Sequence, residues 1–252
     1  MKNVVIVIPA RFGSKRLPGK PLLKLAGKTI IQHVYENASL SKFAKRVIVA
    51  TDDQRIFDAV RKFNGECVLT PRSINSGTDR VAYAVKNIDC SIVMNLQGDE
   101  PFLTSGMFDR GIESALKTNN KTDTFTLASG IETNDELNDT NNVKVVMDKD
   151  GYALYFSRFP IPYIRDDKGK LVKKIKSHYR HIGIYIYRPS VLFEFVKLRQ
   201  SNLERMERLE QLRLIENGYR IKVVVTKGAP PGIDTLQDLK RAERYLKEKG
   251  KI

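Results

Sequence analysis

The strongest constraint on the fold is an alternation that runs from residue 4 to residue 128 of this 252-residue chain. Short aliphatic runs at 4–9, 46–50, 66–69, 92–96 and 125–128 are separated by segments of helical character near 29–40, 54–63, 78–86 and 105–117. A strand covered on both faces carries apolar residues at every position rather than every second one, and Val4 to Ile8 has that form. Strand, helix and strand in regular succession predict a parallel sheet with right-handed crossovers. From about residue 143 the pattern changes. VKVVM, ALYFS and HIGIYIY read as strands, set apart by a polar, Lys- and Pro-rich stretch over 160–180 that predicts a hairpin or excursion from the main sheet. Helices follow over 190–199 and 203–217, then a strand at 222–225 and a closing helix at 235–249. The reading is one α/β domain over residues 1–252 with an inserted arm at about 155–188.

The loop after the first strand, within 8-IPARFGSKRLPGKPL-22, gathers Arg11, Lys15, Arg16 and Lys20. Like charges repel, so this loop predicts an anionic ligand among them, and a solvated basic loop is the competing reading. Gly13 and Gly19 let backbone approach such a ligand, while Pro9, Pro18 and Pro21 restrict the loop. Ligands of open α/β sheets bind beyond the carboxyl ends of the strands, where this loop lies. It matches neither the Walker A pattern nor the dinucleotide fingerprint.

The formal net charge of +15 invites a nucleic-acid reading. The basic residues are spread through the whole chain, however, and no RNP, zinc-finger or KH signature occurs. An anionic small substrate with general basicity is the better account, with no nucleic-acid partner. The apolar runs are too short for a signal-peptide core or a membrane span, so the expectation is a cytoplasmic chain with no membrane partner. Of the two cysteines, Cys67 lies in the strand-like run 66-ECVLT-70 and reads as a buried thiol.

Three further stretches carry candidate chemistry. In 92-IVMNLQGDEPFL-103 an apolar strand ends in Gln97-Gly98-Asp99, and an aspartate there suits a Mg²⁺ ion that keeps several waters and takes one or two carboxylates plus phosphates. An Asx turn or helix cap at Asp99 competes with that reading. In 229-APPGIDTLQDL-239, Asp234 stands where a helix N-cap belongs, a role compatible with metal binding. The segment 203–218 reads as one amphipathic helix, with Leu203, Met206, Leu209, Leu212, Leu214 and Ile215 apolar and Glu207, Glu210 and Gln211 on an adjoining polar face. Among the histidines, His33 reads as structural. His181 shares a strand face with Tyr185 two steps on and is the candidate for function. No nucleophile elbow and no paired His or Cys metal spacing occurs.

Together these stretches resemble the CMP-Kdo synthetases (3-deoxy-manno-octulosonate cytidylyltransferases; Kdo is 3-deoxy-manno-octulosonate). The resemblance is carried by 8-IPARFGSKRLPGKPL-22, 49-VATDD-53, 76-SGTDR-80, 95-NLQGDEP-101, 143-VKVVMDKDGYALYFSR-158, 180-RHIGIY-185, 207-ERLEQLR-213 and 232-GIDT-235, in the family's order and across nearly the whole chain. It implies a nucleotide-diphosphate-sugar-transferase-like α/β fold, with a mostly parallel central sheet, helices on both faces and a strand-rich arm that helps form a homodimer. It implies transfer of CMP from CTP to Kdo with release of pyrophosphate. Arg11, Arg16 and Lys20 would hold the triphosphate, and Asp99 and Asp234 would coordinate Mg²⁺. Ala10 with Ser76 and Gly77 would read the cytosine, and Arg80 belongs to the same substrate-binding motif. Arg158 would take the sugar carboxylate, with Gln97, His181, Tyr185, Glu210 and Gln211 on its hydroxyls. An 8-amino variant of Kdo, or another 2-keto-3-deoxy sugar acid, is the alternative substrate. Lys15 departs from the small hydroxyl residue frequent there, and the stretch 163–179 is more basic than the family pattern.

Overall fold

A computed structural model describes residues 3–13, 17–118, 124–165, 178–228, 232–233 and 235–248. The chain divides into two units, Met1–Asp109 with Pro230–Ile252, and Arg110–Ala229. The first begins with β1 (Val4–Ala10), a 3-10 turn at Lys20–Leu22, and the hairpin of β2 (Lys24–Leu25) and β3 (Lys28–Thr29). It continues through α1 (Ile30–Ser39), β4 (Ala44–Thr51), α2 (Gln54–Lys62), β5 (Glu66–Leu69), α3 (Gly77–Val85), β6 (Ile92–Asn95) and the first residues of α4 (Ser105–Lys117). The second holds β7 (Thr124–Gly130), α5 (Asn134–Asn138), β8 (Lys144–Met147), β9 (Ala153–Ser157) and β10 (Tyr179–Tyr187). It ends with α6 (Pro189–Phe195), α7 (Asn202–Glu207), α8 (Leu212–Glu216) and β11 (Ile221–Thr226), after which α9 (Leu236–Glu248) rejoins the first unit.

In the first unit β1 lies between β6 on one side and β4, then β5, on the other, all parallel. Every residue of β1 is buried, which explains its uninterrupted apolar run. The crossover helices start where side chains cap them: Thr29 accepts from Gln32 N, Asp53 from Arg55 N and Ser76 from Asp79 N. The β2–β3 hairpin has no counterpart in the sequence reading. Its turn residues Ala26 and Gly27 both hold positive φ, as a type I′ turn demands, and Ala is an uncommon choice for the first. Tertiary packing supplies the reason: Leu25 is buried in one cluster with Leu17, Ile30, Ile233, Ala242 and Leu246. The His33 ring donates from Nε2 to Leu25 O at 2.7 Å, the structural role expected of it.

In the second unit β7 pairs in parallel with β11 and antiparallel with β10, and the β8–β9 hairpin joins through β8 to β10. Lys144 of β8 is fully buried and donates to the carbonyls of Asp139 (2.9 Å), Asn142 (2.8 Å) and Arg158 (2.6 Å). Burial lowers its pKa, and the nearby Asp139 opposes that shift. The described flanks of the expected arm are β9 and β10. The lysines at 168, 170, 173, 174 and 176 lie outside the described residues.

Candidate active site

The first unit's chain steps from β1 to β4 to β5 in one direction, then returns to lay β6 on the opposite side of β1. At such a reversal the loops leaving the two central strands diverge and leave a crevice at their carboxyl ends. A cavity of about 260 Å³ lies there. Ala10 and Arg11 reach it from the end of β1, Lys20 from the 3-10 turn, Gly77 and Arg80 from α3, and Gln97 to Asp99 from the loop after β6. The two loops close on each other tightly enough that a Cβ on Gly98 would lie 3.1 Å from Pro9 O, so glycine is needed there. Gly19, at φ +71°, turns the basic loop into the 3-10 segment.

Charge in this cavity is internally organised. Lys20 Nζ donates to Asp99 Oδ2 at 2.8 Å, with the Lys20 side chain 9% exposed and Asp99 39% exposed. The fully buried Arg80 guanidinium is braced by Asp52 Oδ2 at 2.8 Å, by Thr70 Oγ1 and by Ile74 O at 3.3 Å. Burial lowers its pKa below the ordinary guanidinium value; Asp52 opposes this and the Arg11 charge adds to it. Arg11 also donates to Ile74 O. The Nε groups of both Arg11 and Arg80 are buried without a hydrogen-bond partner among the described residues.

Ser76 spends its hydroxyl on capping α3, and its neighbours Asn75 and Gly77 face the cavity instead. Gln97 Nε2 donates to Asn95 Oδ1 at 3.2 Å. Arg16, with Lys15, and Asp234 lie outside the described residues. The chain neighbours of Asp234 lie beside the loop of Asp99: Ile233 N donates to Asp99 O at 3.3 Å, and a Cβ on Gly232 would meet Glu100 Oε1 at 3.2 Å. Asp99 offers the hard oxygen donor that Mg²⁺ prefers. Among the described residues no group of three or more His, Cys, Asp or Glu is placed to hold a metal.

The second unit gathers the remaining candidates around an irregular strand. β10 pairs Ile182 with Leu127 and Tyr185 with Thr126, leaving Gly183 and Ile184 unmatched in a bulge. Four steps of regular strand would carry His181 and Tyr185 about 13 Å apart. With the bulge between them their ring centroids lie 5.5 Å apart. Phe156 meets the His181 ring edge-on at 4.9 Å. Burial and then the Arg180 charge push the His181 pKa down to about 3, so this imidazole is neutral. Burial and then the Glu210 charge push the Tyr185 phenol well above its usual value.

The single helix expected over 203–217 is broken. α7 stops at Glu207, Arg208 takes the left-handed conformation at φ 54°, and α8 begins at Leu212. Side chains from distant segments cause the break. The Arg158 guanidinium takes the carbonyls of Glu207 (2.8 Å) and Arg208 (3.4 Å), and the Glu207 carboxylate takes Ser157 Oγ (2.6 Å) and Arg158 N (3.0 Å). Glu204, buried in α7, grips Arg213 of α8 through two bonds of 2.8 and 2.6 Å. Met206, assigned to the apolar face, is 81% exposed. Glu207 is drawn away from Glu210 and Gln211, which fall in the turn. Gln211 is buried and its Nε2 has no hydrogen-bond partner among the described residues. Arg158 is committed to backbone carbonyls, including Thr140 O at 3.1 Å. Asn75, Asp52, Thr70 and Thr126 were not among the sequence candidates; Asp52 in 49-VATDD-53 and Thr70 in 66-ECVLT-70 fell in quoted stretches without a role.

Comparison with known proteins agrees with this geometry. Residues 5–221 match the cytidylyltransferase family model. The chain is 49% identical over 250 residues to a 3-deoxy-manno-octulosonate cytidylyltransferase of Thermodesulfovibrio yellowstonii, covering 96% of this chain and 97% of that one. It is 44% identical over 250 residues to one of Geobacter sulfurreducens, covering 97% and 100%. A solved structure of CMP:2-keto-3-deoxy-manno-octonic acid synthetase complexed with CTP superposes with a TM-score of 0.91 at 38% identity, over 98% of this chain and 100% of that one. A crevice at the switch point of a mostly parallel sheet, Arg11, Lys20 and Arg80 in its wall and similarity along nearly the full length lead to one assignment: the chain is a nucleotidyltransferase and belongs to the 3-deoxy-manno-octulosonate cytidylyltransferase family.

Proposed function

We propose that this enzyme transfers CMP from CTP to the anomeric hydroxyl of Kdo, giving CMP-Kdo and pyrophosphate. The observation that carries the reading is the cavity of about 260 Å³ in the first unit, whose wall includes the cationic side chains of Arg11, Lys20 and Arg80. In the reaction the sugar oxygen forms a bond to the α-phosphorus, the bond from that phosphorus to the bridging β-oxygen breaks, and the hydroxyl proton is lost to solvent. Lys20 and Arg11 hold and neutralise the triphosphate, and a fixed array of such charges accelerates the transfer because it needs no rearrangement as charge moves to the leaving group. Asp99, with Asp234, would hold Mg²⁺, which when bound supplies Lewis-acid polarisation of phosphate oxygens. Lys20 sits on Asp99 in the structure, so triphosphate binding would draw the ammonium from the carboxylate toward phosphate.

His181, Tyr185, Glu210 and Gln211 supply buried or half-buried neutral and acidic groups of the kind that read hydroxyls. The same reading extends to a cytoplasmic homodimer serving surface-polysaccharide synthesis. Leu154, Phe159 and Tyr163, large apolar side chains exposed on and just after β9, support the dimer. Among the described residues no helix is long and apolar enough to cross a membrane. The test is pyrophosphate release with CTP, Mg²⁺ and a panel of sugar acids. Turnover with Kdo well above 8-amino-Kdo is expected, and no turnover with any sugar acid would refute the proposal.

A further inference from the structure

We propose that Thr126 is a positioning residue that fixes His181 in the tautomer protonated at Nε2, leaving Nδ1 as an obligatory acceptor for a sugar hydroxyl. The inference rests on the reading of the second-unit cluster as the sugar site. It starts from one fully buried hydroxyl. Thr126 Oγ1 lies 2.7 Å from Ile184 O, 3.3 Å from Ile182 O and 2.8 Å from His181 Nε2. A hydroxyl carries one proton, and a carbonyl has none to give, so the 2.7 Å contact requires Thr126 to donate to Ile184 O. What Thr126 then presents to His181 is a lone pair. The 2.8 Å contact therefore requires a proton on Nε2, since the reverse tautomer would set two lone pairs against each other.

The bulge makes this arrangement possible. Two unmatched residues turn the carbonyls of Ile182 and Ile184 toward β7, and the Thr126 hydroxyl meets both there. His181 is held neutral by its burial and packed on Phe156, so its ring is fixed in protonation and in place. Gln211, buried with no hydrogen-bond partner for its Nε2 among the described residues, adds an amide to the same candidate set. A site whose acceptors and donors are fixed before binding rejects a sugar that lacks the matching hydroxyl, because the buried group is left unpaired. Thr126 contributes to that selectivity through the imidazole, without touching the sugar.

Nitrogen-15 NMR of histidine-labelled enzyme tests this directly, with the His181 signals identified by their loss in His181→Asn. Wild type should show a pyrrole-type Nε2 and a pyridine-type Nδ1. Thr126→Val should mix or invert that signature and lower kcat/KM for Kdo at least about tenfold while changing KM for CTP by no more than roughly twofold. Thr126→Ser, which keeps the hydroxyl, should restore both. A wild-type ring protonated at Nδ1 would overturn the assignment, as would an unchanged signature in Thr126→Val. Equal losses in CTP and sugar handling would reduce Thr126 to a structural role. If Thr126→Val does not fold, the wild-type and Thr126→Ser spectra still decide. An Nε2-protonated wild-type ring in an enzyme that ignores Kdo but uses another sugar acid would refute the substrate reading and leave the tautomer standing.

Discussion

In the first unit the charged groups gathered at the cavity come from loops and helix starts beyond parallel strands and balance one another: Lys20 against Asp99, Arg80 against Asp52. In the second unit the candidate groups are mostly neutral, stand on a bulged antiparallel strand and a broken helix, and are sorted by donor and acceptor identity: Thr126 to His181, Gln211 with a spare donor. Under the proposed function the difference follows from what each would bind. A triphosphate is recognised by net charge, which acts over several ångströms and tolerates loop geometry. A polyol offers no charge on its hydroxyls, so discrimination has to come from buried hydrogen bonds whose partners cannot rearrange.

The most severe test of that division is Asp99→Asn. It keeps the shape and removes the charge, so turnover should fall by about 10²–10³-fold in a folded protein if charge is the working principle. Pyrophosphate release beside far-ultraviolet circular dichroism measures both, and near-normal turnover would place catalysis elsewhere. A crossover experiment comes next. Lys20→Ala should lower kcat/KM for CTP at least about tenfold, equivalent to about 1.4 kcal/mol, and Glu210→Ala should do the same for the sugar while CTP binding persists. Steady-state kinetics with each substrate varied in turn would show it, and the opposite pattern would mean the two recognition sites are reversed.

The last test concerns pH. The folded pKa of His181, about 3, lies below its unfolded value near 6.5, so the unfolded state binds the extra proton first. The neutral ring therefore contributes its full stability above pH ~6.5, and that contribution falls by at most about 1.4 kcal/mol per pH unit as pH drops from there toward 3. Denaturant unfolding of wild type and His181→Asn across this window should show a steeper fall in wild type than in the variant. Parallel curves would mean that the His181 environment does not control the second unit's acid sensitivity.

Much of the first unit was legible along the chain. The strands at 66–69 and the helix at 105–117 fall where the periodicity puts them, and the other elements of the alternation differ by a residue or two at their ends. The charged loop and the Gln97-Gly98-Asp99 turn were equally visible, because a parallel sheet delivers its loops to one edge whatever the details. The β2–β3 hairpin escaped notice because Ala26 is not a turn signal; its positive φ is imposed by the packing of Leu25. The break at Arg208 was invisible for the same kind of reason. The sequence 203–217 has good helical periodicity, and Arg158, 49 residues away from Glu207, takes the carbonyl that the helix would use.

By itself, then, the order of residues determined a buried parallel core and a basic loop at its carboxyl edge, since both depend on local periodicity and local charge. Tertiary structure alone decided that Lys20 rests on Asp99 across 79 residues, that Thr126 meets His181 across 55, and that a two-residue bulge brings His181 to Tyr185. These are pairings between segments remote in sequence, and a hydrogen bond acts only over about 3 Å, so no pattern within either segment encodes them.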